Sequence, residues 1–317
     1  AEGEEKITVM ALVVGVDGGG TKTTAVVVDA TTREVKGRSI KTSGNNNAVG
    51  AEGEKAAVLG AIAGALEQAK ATNADVAGIC LGMSGVDAPP DKERVRSFVA
   101  EVFPNIQVDV HSDAVAALLS GTDGRLEGCV VISGTGCIAY GCSADGQHVR
   151  ASGWGPAFLD GGSGHHIGTL ALAAAARAHD GRGPPTTLVD LLCAKLEVGD
   201  AGPYGLIRWA YSEQGWAHIA SIAPVVIAAA TEGDAVAMGI VKEAAAELVA
   251  AVRPIARKLA LHEEGFTLVL AGGNLQHGGL YADTFRAQLA DSVPSARPVL
   301  PSVDAAVAAA LFAANSR

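Results

Sequence analysis

Two short runs of small apolar residues near the start of the chain, at 12–16 and 24–28, enclose a polar segment rich in glycine. Both runs are rich in valine, a residue that favours β-strands. The segment between them reads Asp17-Gly18-Gly19-Gly20-Thr21-Lys22-Thr23. Two strand-like runs separated by a glycine cluster predict an antiparallel hairpin with a glycine tip.

The alternation of apolar and polar positions predicts the order βββαβαβα for the first half of the chain. Strands are predicted near 12–16, 22–29, 35–41, 76–82 and 106–111, and helices near 51–71, 91–103 and from 114. The second half repeats this order with insertions. Its strands are predicted near 129–133, 137–142, 147–151, 267–271 and 297–300, and its helical segments near 162–231, 234–262, 280–291 and 303–314. Pro254 is expected to kink or break the third-last helix. The repetition predicts an α/β protein with two duplicated domains.

The main domain boundary is predicted at a turn-like stretch, residues 123–127. We expect an N-terminal domain of residues 1–121, against which the helix in 303–317 packs, and a C-terminal domain of residues 122–302 with a helical insertion. A chain of 317 residues is long enough to bury a core in each domain.

The composition of the chain limits the classes of molecule that it is expected to bind. With 49% hydrophobic and 18% charged residues it is typical of globular proteins, and no apolar stretch reads as a membrane span. A net charge of −10 provides no basic surface for nucleic acid or an anionic membrane, so a small molecule is the expected partner. Five cysteines without a CxxC pair, and a start without a secretory signal, predict reduced thiols in the cytoplasm; an organelle is the alternative.

The glycine tip of the first predicted hairpin is suited to a phosphate. Glycines let backbone N–H groups approach an anion, and Thr21, Lys22 and Thr23 add side-chain donors. A P-loop is excluded because Thr21 separates Gly20 from Lys22 and a strand follows, and a dinucleotide fingerprint also needs a following helix. The alternative is an ordinary hairpin turn with Lys22 as a surface charge. Asp17 beside a phosphate implies a cation between them, and Mg²⁺ would supply it.

Two further glycine turns follow strands. The turn Ser133-Gly134-Thr135-Gly136 falls at the same place in the second half as the first hairpin tip does in the first, although alone it reads as a plain hairpin. The segment Leu270-Ala271-Gly272-Gly273-Asn274 ends a predicted strand, which is where open α/β sheets bind ligands.

Together, DGGGTKT, ISGTGC and LAGGN on a duplicated frame resemble the superfamily of actin, hexokinase and heat-shock-chaperone ATPases. Within it the chain is most similar to the N-acetylglucosamine kinases and the related BadF-type ATPases, over essentially its whole length. The resemblance implies duplicated ribonuclease-H-like domains around a central cleft, with ATP and Mg²⁺ bound there. It implies nucleotide contacts from the glycine turns and from the region bordering adenine: Gly18, Gly19, Gly20, Thr21, Lys22, Gly134, Thr135, Gly136, Ala230, Gly272, Gly273 and Asn274. Asp17 would hold the metal through water.

The resemblance also implies a sugar site. Asp113, between a predicted strand and a helix, would be the general base for a sugar hydroxyl; its alternative role is a helix N-cap. The residues implied to contact the sugar are Asn45, Gly153, Trp154, Gly155 and Asp160. Their alternatives are a turn for Asn45, an apolar plug for Trp154 and a helix cap for Asp160.

The chain departs from its relatives beside Asp160. They usually carry Gly-Asp-Glu-Gly-Ser-Gly, whereas here Leu159 precedes Asp160 and Gly161 stands in place of Glu. The resemblance therefore implies one missing sugar carboxylate, and Cys137 follows the second glycine turn where a hydroxyl residue is common. His165 and His166 have no further ligands at zinc spacing.

We therefore expect an ATP-dependent kinase of an amino sugar, acting on the 6-hydroxyl of N-acetylglucosamine or glucosamine. Two alternatives stay open. An ATPase activator of a dehydratase or reductase would need cysteines that hold an iron–sulfur cluster, and a non-catalytic sugar or nucleotide sensor would keep the binding residues without turnover. A homodimer is a further expectation that the sequence leaves open.

Overall fold

The computed structural model describes residues 11–86, 88–213, 215–261 and 265–316. The chain forms two compact units. Unit 1 ends at Leu126 and resumes at Pro301, and unit 2 is Glu127–Leu300. The N-terminal residues on which the prediction of no secretory signal depends lie outside the described residues.

Unit 1 contains five strands and four α-helices in its described residues. Its strands are β1 (Leu12–Gly18), β2 (Thr23–Asp29), β3 (Val35–Lys41), β4 (Val76–Met83) and β5 (Val108–Ser112). The first three helices are α1 (Asn46–Ala69), α2 (Pro89–Val102) and α3 (Asp113–Gly121). The fourth is the last helix of the chain, Ala305–Asn315. Helix α1 is interrupted at Gly50, which has a φ of 72°.

The sheet of unit 1 has the order β3-β2-β1-β4-β5. The first three strands are antiparallel, and β1, β4 and β5 are parallel. In this register Gly18 pairs with Met83, and Met83 pairs with Ser112. The carboxyl ends of three neighbouring strands therefore lie at one edge of the sheet, where open α/β sheets bind ligands.

Unit 2 repeats the strand pattern with added helices. Its strands are β6 (Gly128–Ser133), β7 (Cys137–Cys142), β8 (His148–Ala151), β9 (Phe266–Ala271) and β10 (Ala296–Val299). Its helices are α4 (Gly164–His179), α5 (Leu188–Lys195), α6 (Gly205–Ala210), α7 (Trp216–Ala220), α8 (Ala223–Thr231), α9 (Ala235–Lys258), α10 (Gly273–Gln276) and α11 (Leu280–Ser292). The final helix in unit 1 is then α12.

The sheet of unit 2, β8-β7-β6-β9-β10 read from its antiparallel edge, has the same topology as the sheet of unit 1. Three antiparallel strands are followed by two parallel ones in both. The predicted duplicated α/β fold is therefore confirmed. The helices α4–α8 lie between β8 and α9 and form the insertion of the second copy.

Small residues position the helices that cover the first sheet. A Cβ atom on Gly15 of β1 would lie 1.9 Å from the carbonyl oxygen of Ala306, so glycine allows the alanine-rich α12 to contact the strand. Buried residues of α12, β1, β2 and β4 form one apolar cluster. In the described part of the chain, no helix is both long and apolar enough to cross a membrane.

Of the kink or break predicted at Pro254, the break is not observed, because helix α9 continues to Lys258. The proline lies near the end of the helix, where few residues follow it. Ile255 and Ala256 just after it are buried in the core of unit 2, and this burial holds the final turn in place.

Candidate functional site

The tip of the first hairpin is open to solvent. The turn is closed by a hydrogen bond from Gly19 N to Lys22 O at 2.8 Å, and Gly20, Thr21 and Lys22 are exposed. A Cβ atom on Gly20 would meet nothing within 4 Å. On Gly18 it would lie 2.3 Å from Met83 Sδ, so this glycine serves packing against β4. Backbone N–H groups at the tip are accessible without any glycine of this segment having a positive φ.

Two loops lie beside the base of this hairpin. Ser84, which follows β4, donates its backbone N–H to Gly18 O at 2.7 Å. Ser43 donates its hydroxyl to Gly19 O at 3.4 Å, and Asn45 donates Nδ2 to Ser84 Oγ at 3.3 Å. The structure thus places the predicted sugar residue Asn45 beside the first glycine turn. The backbone carbonyl oxygen of Asn45 accepts from the amides of Ala48 and Val49, which belong to the first turn of α1, so Asn45 directly precedes a helix that begins earlier than the predicted residue 51.

Asp17 lies on β1 one residue before the glycines and is half-buried. Burial, followed by the charges of Asp113 and Asp304, raises its pKa from 3.8 to about 6, and Lys22 opposes the shift. Two carboxylates therefore act on a third, partly buried one, which is an arrangement that a bound cation would stabilise.

Asp113 is the first residue of α3, directly after β5. The N-cap of this helix is Ser112, so the alternative interpretation of Asp113 as the cap is wrong. Because β1, β4 and β5 are neighbours, Asp113 and Asp17 both lie at the carboxyl edge of the sheet. The electrostatic effect of Asp113 on the pKa of Asp17 agrees with this placement.

The carboxylates near Asp17 are the candidate ligands for a metal ion in unit 1. No group of three or more histidine, cysteine, aspartate or glutamate side chains with metal-binding geometry occurs among the described residues. Mg²⁺ commonly keeps several waters and is held by one or two carboxylates together with substrate phosphates. The end of the unit 1 sheet that carries Asp17 and Asp113, here called the carboxylate edge, fits that mode of binding, in which Asp17 would act through water.

The second hairpin, between β6 and β7, is fixed by its neighbours. Its turn is closed by Gly134 N donating to Gly136 O at 2.9 Å. Two amides at the start of α4 donate to the turn, Gly164 N to Gly134 O at 2.7 Å and His165 N to Thr135 O at 3.2 Å. Thr135 is exposed, and a Cβ on Gly134 would meet nothing within 4 Å, so the outer side of the turn is accessible.

The third glycine turn joins this second hairpin. Asn274 Nδ2 donates to Ser133 Oγ and to Gly134 O, both at 3.1 Å. Gly272 has a φ of 84°, and a Cβ there would lie 2.3 Å from Ser133 O. Gly273 begins the short helix α10, which the sequence did not reveal, and space around it is open. Two turns predicted to contact nucleotide therefore form one continuous surface of unit 2.

Ala230 is the exception among the predicted nucleotide residues. It is 2% exposed and belongs to the hydrophobic core of unit 2, at the end of α8. Its methyl group therefore packs against protein, which is evidence against a direct contact between this side chain and adenine.

Asp160 is buried at 5% exposure and supports the second hairpin. Its Oδ2 accepts a hydrogen bond from Cys137 N at 3.0 Å. Ser163, which accepts from His166 N, is the N-cap of α4, so the alternative interpretation of Asp160 as that cap is wrong. Leu159 and Asp160 both have positive φ values, 70° and 46°, a costly conformation for residues with side chains.

The Gly153-Trp154-Gly155 segment presents an aromatic surface. Trp154 is 75% exposed, and its ring centroid lies 6.1 Å from that of Phe158. Trp216 of α7 lies against Gly155, where a Cβ would be 3.4 Å from the indole ring. Exposed indole rings of this kind are suited to contact with the apolar face of a sugar ring. The predicted plug is not observed, because the Trp154 side chain is not buried.

All five cysteines are free thiols, and all except Cys193 are buried. Burial raises the pKa of Cys129 and Cys137 to about 12, so these thiols stay protonated at neutral pH. Buried, separate thiols do not favour the iron–sulfur alternative.

His166 accepts a hydrogen bond from Gly162 N, and His165 lies beside it in the chain. Among the described residues, no group of possible metal ligands includes these two histidines.

Sequence reasoning missed two residues of the first site. Ser84 binds both Gly18 and Asn45, and Asp304 at the start of α12 contributes to the raised pKa of Asp17. Ser84 could have been found from its position directly after β4, the second of the three parallel strands. Asp304 lies far from Asp17 and Asp113 in the chain, and only the return of α12 to unit 1 brings it near them.

Comparisons with known proteins extend these findings. Residues 14–313 match the BadF/BadG/BcrA/BcrD ATPase family. A relative from Dictyostelium discoideum, named N-acetyl-D-glucosamine kinase, is 38% identical over 96% of this chain and 98% of its own. A second, from Clostridium acetobutylicum, named N-acetylmuramic acid/N-acetylglucosamine kinase, is 32% identical with the same coverage. A crystal structure from Chromobacterium violaceum covers 96% of this chain and 99% of its own, with a TM-score of 0.74 and 23% identity. This last likeness is one of fold.

Proposed function

The chain belongs to the BadF/BadG/BcrA/BcrD ATPase family, and we propose that it is an ATP-dependent kinase of N-acetylglucosamine. The observation that carries this proposal is the 38% identity, over nearly the full length of both chains, with a relative named N-acetyl-D-glucosamine kinase. The second relative shares that sugar in its name. The carboxylate edge of unit 1 supplies the residue types that phosphoryl transfer needs.

We assign the nucleotide contacts to the accessible glycine turns. In unit 1 these are the exposed backbone around Gly20, with Thr21 and Lys22 as side-chain donors, whereas the Gly19 amide already donates to Lys22 O within the turn. In unit 2 they are Gly134, Thr135 and Gly136, and the adjoining Gly272, Gly273 and Asn274 would border adenosine. Successive backbone N–H groups in a tight turn can donate hydrogen bonds to phosphate oxygens, and they do so without a side chain that must be desolvated.

Asp17 is the residue that would hold Mg²⁺ through water. When bound, the ion would neutralise the developing charge on the phosphate oxygens. Asp17 itself is suited to this role because burial and two nearby carboxylates disfavour its charge in the free protein. A cation next to Asp17 would favour the ionised form again and lower its pKa.

Asp113 is the proposed general base, and the acceptor is the 6-hydroxyl of the sugar. The sugar oxygen attacks the γ-phosphorus, the bond between this phosphorus and the bridging oxygen breaks, and ADP leaves with the electron pair. The hydroxyl proton goes to the Asp113 carboxylate as the new oxygen–phosphorus bond forms. Because the transition state is loose, Asp113 mainly orients the hydroxyl and receives the proton late.

The remaining sugar contacts are assigned to Asn45, in unit 1, and to residues of the Gly153–Asp160 region in unit 2. Trp154 would cover the pyranose ring, and Asp160 would orient the turn that lies beside the sugar. Glucosamine is the alternative substrate, because neither the exposed indole nor the carboxylates discriminate by themselves against a free amine.

The five free thiols support a reducing compartment such as the cytoplasm.

A test of this proposal is release of ADP by the purified protein with Mg²⁺ and ATP, measured with a panel of sugars. The panel should include N-acetylglucosamine, glucosamine, N-acetylmannosamine, glucose and no sugar. We expect the highest kcat/KM with N-acetylglucosamine and little ADP release without sugar. Equal ADP release in all arms would contradict a sugar kinase, and binding of sugar without any ADP release would favour the sensor alternative.

A further inference from the structure

Glu247 of α9 occupies the space in which a side chain at position 161 would begin. A Cβ atom built on Gly161 would lie 2.7 Å from Oε2, 2.9 Å from Cγ and 3.0 Å from Cβ of Glu247. Gly161 is not among the residues with positive φ, so its backbone conformation does not require glycine. The missing side chain instead leaves room for the Glu247 side chain to lie against the residue that follows Asp160.

Packing fixes this contact. A Cβ on Gly162 would lie 2.4 Å from Leu248 Cδ2 and 3.0 Å from Ala244 O, so α9 lies directly against the turn. Leu248 is 1% exposed, whereas its neighbour Glu247 is exposed. The helix is therefore anchored by its apolar face, and Glu247 stands at the border between that face and solvent.

The Glu247 carboxylate oxygens are available to accept hydrogen bonds. Within the described residues, it makes no hydrogen bond or salt bridge. Its titratable neighbour is His166, which is also influenced by Glu243 and Asp160. The Nδ1 atom of His166 accepts from Gly162 N at 3.1 Å, so this ring supports the same turn. Burial lowers the pKa of His166, and a neutral imidazole does not neutralise Glu247.

We propose that Glu247 is a specificity-determining residue whose carboxylate accepts a hydrogen bond from a hydroxyl or amide N–H of the amino sugar, in place of a side chain at position 161. This inference rests on the proposed kinase function, because it takes the turn that begins at Asp160 as part of the sugar site. Polyol sites commonly combine a few converging polar groups, and a hydrogen bond to a charged group contributes more than a neutral one.

The test compares Glu247→Ala with a matched control on the same helix. Glu243 lies one turn before Glu247, is also exposed and also influences His166, but it is not among the atoms nearest to Gly161. We expect Glu247→Ala to raise KM for N-acetylglucosamine about tenfold or more, with less than twofold change in kcat and in KM for ATP. Glu243→Ala should leave all three within twofold of the wild type.

A rescue variant separates a lost carboxylate from a structural defect. Gly161→Glu combined with Glu247→Ala returns a carboxylate from position 161 into the space vacated by the Glu247 Cγ and carboxylate. The Cβ that alanine keeps lies 3.0 Å from the new Cβ and needs to shift by only a few tenths of an ångström, so KM for the sugar should return to within about threefold of the wild type. Calorimetric titration of each variant with the sugar should give the same ranking as KM. An unchanged KM in Glu247→Ala, an equal rise in Glu243→Ala, or a defect that the double variant does not relieve would overturn the inference. A wild type without sugar-dependent turnover would overturn the proposed function as well.

Discussion

The two hairpins occupy matching positions in the two copies of the fold, yet they differ in what surrounds them. The tip of the first is exposed, and its base lies beside the carboxylates of Asp17 and Asp113. The second is fixed from both sides, by the amides that begin α4 and by the side chain of Asn274. Duplication therefore set the positions of two matching glycine turns, and the side chains beside the two turns differ in charge and in hydrogen bonding.

Because their surroundings differ, we expect the two hairpins to contribute to different kinetic steps. We expect substitutions at the carboxylates of unit 1 to lower kcat, because those groups would act on the reacting atoms and the metal. Substitutions at the second hairpin of unit 2 should mainly raise KM for ATP, because its groups would bind and orient the nucleotide. The predictions below test this difference, from the largest expected effect to the smallest.

Asp17→Asn should cause the largest loss of activity. The substitution keeps the size of the side chain but removes the charge that would face Mg²⁺, so turnover should fall by about three orders of magnitude or more. The measurement is kcat as a function of Mg²⁺ concentration, with circular dichroism as the control for folding. Activity and Mg²⁺ dependence like those of the wild type would remove Asp17 from the site.

The same variant should be more stable than the wild type at neutral pH. The pKa of Asp17 is raised from 3.8 to about 6 in the folded protein, so its ionised form opposes folding. The penalty is absent below about pH 4, develops between pH 4 and 6 and is complete above that, where it reaches at most about 3 kcal/mol. Asp17→Asn should therefore raise Tm at pH 7.5 and leave it unchanged near pH 3.5. A lower Tm at pH 7.5 would contradict the electrostatic account.

Asp113→Asn should lower kcat by roughly two orders of magnitude or more, because a general base typically contributes 10²–10⁴ to the rate. Asp113 is in the first turn of α3 but is not its cap, so loss of the helix-dipole interaction should cost under about 1 kcal/mol. The comparison is kcat and Tm on one preparation. If kcat stays near normal, or if its loss simply follows a lower Tm, Asp113 is not the base.

Asn274→Ala tests the expected role of the second hairpin, in unit 2, in nucleotide binding. It removes the hydrogen bonds to Ser133 Oγ and Gly134 O that join the third glycine turn to the second hairpin. We expect KM for ATP to rise about three- to tenfold, with kcat and KM for the sugar nearly unchanged. A loss confined to kcat would contradict the assignment of unit 2 to nucleotide binding.

Substitutions of two glycines in the first hairpin should have the smallest and most local effects. Gly18→Ala would place a methyl group against Met83 and should lower the free energy of unfolding by about 1–3 kcal/mol. Gly20→Ala meets no neighbouring atom and should change stability by less than about 0.5 kcal/mol, while weakening ATP binding. Urea unfolding of both variants is the measurement, and equal destabilisation would show that the tip is not open.

Most of the fold was predictable because the apolar runs are long and periodic. The predicted strands near 35–41 and 137–142 agree with Val35–Lys41 and Cys137–Cys142, and the repeat of βββαβαβα fixed the topology. The number of helices in the insertion could not be obtained, since its alanine-rich sequence gives little periodic contrast. The uninterrupted α9 was missed because burial after Pro254 outweighs a local rule.

The site was less predictable than the fold. Glycine turns and Asp17 were visible as local patterns, but their roles depend on groups far away in the chain. Asp304 affects Asp17 only because α12 returns to unit 1, and Glu247 reaches Gly161 only because α9 packs on that turn. Burial of Ala230 was likewise set by tertiary packing. Sequence patterns therefore located backbone features better than they located side-chain partners.

The most direct test of the central claim is the fate of the γ-phosphoryl group. ³¹P nuclear magnetic resonance of wild-type protein with ATP, Mg²⁺ and N-acetylglucosamine follows ADP, phosphosugar and inorganic phosphate in one sample. The account predicts one new sugar phosphomonoester for each ADP, coupled to the protons of the sugar's C6, and almost no inorganic phosphate. ADP accompanied by an equal amount of inorganic phosphate, whether or not sugar is present, would contradict it.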